Sequence, residues 1–122
     1  MISFRFAAIL LSGICTLVFI ALLLAPSSYM GLYGVTADAS GVFMGQRASP
    51  LMLGIAVLLW CARDLRLTPG REAIRLCIIV TFAGIAVTGV AAFMMGTAQW
   101  PILIASIGEL LIAAIFLWGI RD

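Results

Sequence analysis

Glu109 is the one acid inside an apolar run of about 20 residues, 101–120, which is long enough to cross a bilayer. A carboxylate near the membrane centre carries an insertion cost of about 3 kcal/mol, so it turns toward protein and marks a partner, a proton site or a substrate path. Arg47 is the natural candidate partner, since it also falls within an apolar stretch. At 1.5 Å per residue Glu109 stands about 18 Å above Arg121, and Arg47 about 24 Å above Arg63. The levels differ by about one helical turn, which a guanidinium side chain can bridge. On the same ruler Thr16 and Thr88 come out near Glu109, so all four segments are candidates for one polar layer. Glu109 then has three fates: ionised and paired with Arg47, neutral and hydrogen-bonded, or facing a water-filled path. The pair is the favoured one, as a buried contact that holds helix register.

Other reactive residue types are sparse. Cys15, Cys61 and Cys77 are odd in number and lack C-x-x-C spacing, so they read as small packing residues. Histidine is absent, which excludes histidine-ligated haem, histidine-ligated bacteriochlorophyll and most zinc or copper sites. No nucleophile and base, metal-ligand cluster or redox pair can be assembled. The expectation is a non-enzymatic protein with no cofactor and no metal.

The elements that must position these residues are all membrane helices. The chain has 122 residues, 65% of them hydrophobic and 10% charged, with a mean hydropathy of +1.26. So few charges cannot clothe a water-soluble core. Four apolar stretches, about 6–25, 41–62, 74–95 and 101–120, each have the length of a span. The expected fold is all-α: a single transmembrane four-helix bundle covering 1–122. The first stretch reads as a retained helix, because its small-residue cleavage point, Ala25, is followed at once by Pro26.

Arginine placement orients the bundle. Arg5, Arg63, Arg66, Arg71, Arg75 and Arg121 fall at the N-terminus, the second connection or the C-terminus, and only Arg47 lies toward the other side. The positive-inside rule then puts both termini in the cytoplasm of a multi-pass inner-membrane protein. Arg63, Arg66, Arg71 and Arg75 surround a turn at 65–73 in which Thr68 is a candidate N-cap and Pro69 the first helical residue. This basic turn serves orientation first, with docking of anionic lipid or protein as its sharper use. Pro50 falls inside the second stretch, so the helix kinks there and frees the carbonyl of Gln46 beside Arg47, a candidate polar pocket; a separate helix starting at Ser49 and Pro50 is the alternative. Tyr29 and Tyr33, four apart in the first connection, fit a membrane-surface belt, as do Trp60, Trp100 and Trp118; a lid over the bundle is the other reading of the tyrosines. Leu59-Trp60-x-x-Arg63-Asp64 and Leu117-Trp118-x-x-Arg121-Asp122 repeat one another and suggest two hairpins of common design.

Leu32-Tyr33-Gly34 after the first helix, Arg47 before Leu53-Gly54, Trp60 with Arg63, and the arginine-rich turn together resemble small bacterial four-helix membrane proteins of the DoxX-like kind. That resemblance implies a bacterial inner-membrane location. The size is also similar to small multidrug transporters, whose essential glutamate belongs to the first helix; here the first helix has no acid and the candidate stands in the fourth. The first functional expectation is an accessory, assembly or stabilising subunit of a larger membrane complex. Its partners are the lipid bilayer and other membrane subunits or further copies of itself, and nucleic acid is not among them. The alternative is a small proton-coupled transporter or channel that uses Glu109.

Overall fold

The computed structural model describes residues 2–120. Helix α1, Phe4–Leu24, starts where the Ser3 hydroxyl accepts the Phe6 amide at 3.2 Å. It stops at Ala25, because a residue preceding proline is driven from the helical region. Pro26 then opens a short helix α2, Pro26–Gly31. Helix α3, Ala39–Ala62, is capped by Asp38, whose carboxylate accepts the Gly41 amide at 2.7 Å. Helix α4, Pro69–Met94, starts with Thr68 as N-cap and Pro69 at its first position, five residues before the apolar stretch begins. Gly96, at φ 76°, ends it in the left-handed conformation that favours glycine. Helix α5, Pro101–Ala114, continues as a π-helical turn, Ile115–Gly119.

Four of these segments are long and apolar enough to cross a membrane, and large apolar side chains such as Leu17, Leu51, Val80 and Leu111 stand exposed around the perimeter. The chain is therefore a multi-pass membrane protein whose outer surface is solvated by lipid. Pro50 lies inside one continuous α3, so no separate helix starts at Ser49. The Gln46 carbonyl that the proline ring displaces accepts the Ser49 hydroxyl at 2.7 Å.

The spans pack as two hairpins, α1 with α3 and α4 with α5. The Ser12 hydroxyl donates to the Ala56 carbonyl at 2.8 Å and fixes the first pair. In the second, Gly89 lies directly against the Ser106 hydroxyl, leaving no room for a β-carbon. The hairpins meet near the termini, where Phe4, Leu11, Cys15, Leu59, Ile78, Phe82 and Phe116 form the core. Phe4 and Phe116 are edge to face there, 6.2 Å between centroids. The Ile2 amide donates to the Gly119 carbonyl at 3.0 Å, so the two ends of the chain lie together. Past Cys15, α1 buries no further residue. The core thus occupies the half of the bundle near the termini, and the far half is built differently.

Candidate functional site

Ser106, Glu109, Ala113 and Phe116 follow one another at helical spacing, and Ser106, Ala113 and Phe116 are buried. Glu109 falls in the middle of that arc, so it faces the bundle and is half-buried. Above it lies the first connection. Tyr29 and Tyr33 are each half-buried, their rings edge to face at 5.5 Å, with the Tyr33 hydroxyl donating to that of Tyr29 at 3.4 Å. Burial above all holds the Tyr29 phenol well above the ordinary tyrosine range.

The connection is clamped onto the second hairpin. The Gln99 amide donates to the Tyr33 carbonyl at 2.8 Å. Gly34, at φ 69°, lies so close to the Gln99 side chain that a β-carbon would collide with it. The tyrosines accordingly form a lid over the far end of the bundle and do not stand out as exposed belt residues. Trp60, Trp100 and Trp118 are exposed, as interfacial anchors require.

Arg47 does not join this site. Among the described residues no ion pair links it to Glu109, and its guanidinium instead lies 5.8 Å from the centre of the Phe43 ring. The reason is angular. Ser49 is fully buried and two positions on, which puts Arg47 roughly 160° around the helix from the inward face. Equal depth does not bring two side chains together when one faces outward. Gln46 turns to α1 and donates to the Leu23 carbonyl at 3.3 Å, tying off the end of that helix. Thr16 bonds to the Ser12 carbonyl and Thr88 to the Ile85 carbonyl, each at 2.8 Å within its own helix. The four-helix polar layer is thus not assembled.

Contacts inside the bundle take up much of the basic turn. Arg71 is buried, with its guanidinium 4.3 Å over the Phe4 ring and a bond to the Leu65 carbonyl at 3.5 Å. Arg75 pairs with Glu72 at 2.9 Å and donates to the carbonyls of Phe116 and Leu117, at 3.0 and 3.2 Å, at the closing turn of the last span. Arg63 stacks 4.2 Å over Trp60, bonds to the Trp60 carbonyl and pairs with Asp64 at 3.5 Å. Asp64 also receives Arg5 at 3.3 Å. Arg66 is exposed. The repeat at the helix ends is not kept in the backbone, which is α-helical at Trp60 and π-helical at Trp118; Arg121 and Asp122 lie outside the described residues.

The sequence places Arg71 in the basic turn without its burial, and it offers the lid only as the second reading of Tyr29 and Tyr33. Arg71 shares its helical face with Ile78 and Phe82, a signal present in the spacing. The approach of the lid to Glu109 has no local signal, since it joins residues eighty positions apart. Among the described residues no three potential metal ligands cluster, and Cys15, Cys61 and Cys77 are free thiols. What the arrangement offers chemically is a carboxylate beneath two phenols, able to take up a proton or accept a hydrogen bond.

No protein-family model, curated protein or solved structure matches the chain. The likeness to DoxX-like proteins accordingly rests on the quoted residues.

Proposed function

We propose that the protein is a non-enzymatic accessory, assembly or stabilising subunit of a larger complex in a bacterial inner membrane, with both termini cytoplasmic. The supporting observation is the packed half near the termini, where Phe4, Leu59, Ile78 and Phe116 are each at most 1% exposed. Glu109 sits above that plug, so a solute reaching it from the loop end meets dense packing rather than a way through one copy. Arg5, Arg63, Arg66, Arg71 and Arg75 gather at the end of the bundle where the termini meet, which supports the cytoplasmic assignment.

A second reading is favoured by one observation, the placement of Glu109 beneath Tyr29 without Arg47 beside it. It is a small proton-coupled transporter formed by several copies, with Glu109 as the exchanging group. Proteoliposomes separate the two readings. An accessory subunit co-purifies with larger membrane proteins in mild detergent and moves no protons when reconstituted alone. Proton-linked flux by the purified protein, lost in Glu109→Gln, overturns the first reading and establishes the second.

A further inference from the structure

The outward side of the α1–α3 seam holds an open groove of about 850 Å³, walled by Ile9, Gly13 and Leu17 on one helix and by Leu53, Val57 and Trp60 on the other. Its size falls within the range of small-molecule sites. Gly13 keeps the groove open, since a β-carbon built there meets nothing within 4 Å. We propose that this groove holds the acyl chains of an anionic phospholipid from the leaflet on the side of the termini, with its headgroup at Arg63 and Arg5.

Three features select that occupant. The first is depth. From Arg5 to Leu17 is about 18 Å of helix, close to one leaflet's half of a hydrocarbon core of about 30 Å. A helix of another subunit crosses both leaflets and would need the groove to continue. Its lining instead ends at Leu17 on α1 and at Leu53 on α3.

The second feature is charge at the mouth. Among the described residues Arg5 and Arg63 share the one carboxylate of Asp64, two cations to one anion, and the Arg5 and Asp64 side chains are well exposed. A phosphate can take the unshared guanidinium donors. The third is that one residue serves both parts of the site. Trp60 lines the groove, and its ring carries the Arg63 guanidinium 4.2 Å above it, so the cation is held where chain and headgroup join.

The test uses the whole protein in vesicles of phosphatidylcholine doped with phosphatidylglycerol or phosphatidylcholine carrying a photoreactive acyl chain. The phosphatidylglycerol probe is expected to label peptides containing Ile9 to Leu17 and Leu53 to Trp60 above the other exposed helix faces, and to do so more than the phosphatidylcholine probe. Gly13→Leu, whose side chain projects into the groove, should abolish that excess. Arg63→Gln should lower the preference for phosphatidylglycerol roughly fivefold while labelling of the groove persists. The map in the unsubstituted protein needs no variant, so a folding defect in either substitution leaves the proposal testable. Uniform labelling of all lipid-facing surfaces, equal labelling by the two lipids, or cross-linking of a second protein chain through the groove overturns it.

Discussion

Adding one methyl group at Gly89 should destabilise the protein, and removing the Ser106 hydroxyl in the same molecule should restore it. A β-carbon on Gly89 collides with Ser106 Oγ, while its next neighbours, Ile102 Cγ1 and Ser106 Cβ, lie at 3.4 and 3.7 Å. Overpacking of this kind costs about 1–3 kcal/mol, and the better helix propensity of alanine returns up to about 1, so Gly89→Ala should lose about 1–2 kcal/mol. Ser106 is 2% exposed and its hydroxyl has no partner among the described residues, so Ser106→Ala alone should be neutral or slightly stabilising. In the double variant the collision is gone and only ordinary contacts remain. It should match or exceed the parent, giving a coupling energy of at least about 1 kcal/mol. Unfolding in mixed mild detergent and dodecyl sulfate, followed by helicity, measures all four proteins. Additivity within about 0.5 kcal/mol would refute the α4–α5 crossing described above. The crossing matters for the site because Glu109 is one turn from Ser106 and is aimed into the bundle by it.

Arg47→Ala and Glu109→Gln should be additive within about 0.5 kcal/mol in the same assay, since Arg47 faces Phe43; a larger coupling would restore the ion pair that depth alone suggests. Arg75→Gln removes both the pair with Glu72 and the bonds to two carbonyls of the closing turn, so it should cost about 1.5–3 kcal/mol, whereas Arg66→Gln, on an exposed residue, should stay within about 0.5. Equal effects of the two substitutions would show that Arg75 does not join α4 to the last span.

Much of the fold was legible in the sequence because lipid imposes simple rules. A spanning segment must satisfy its own backbone, so length and composition alone mark four helices. Thr68 with Pro69, the continuous helix through Pro50 and the freed Gln46 carbonyl follow equally from local chemistry. These features involve residues a few positions apart. Where depth was used without direction, the reading failed: Arg47 and Glu109 are at similar levels, yet only Glu109 lies on the inward arc of its helix.

The sequence by itself determined that the chain resides in a membrane, how many long apolar helices could span it, and that Glu109 needs an explanation. Tertiary structure alone decided what surrounds that residue. The first connection lies over that end of the bundle because it is clamped at Tyr33 and Gly34 by Gln99, contacts between segments more than sixty residues apart. The arginines divide in the same way. Composition predicts their side of the membrane, since each charge responds to the bilayer independently. Which of them is buried over Phe4, which caps the last span and which stays exposed depends on how two hairpins meet, and that is fixed by packing across the whole bundle.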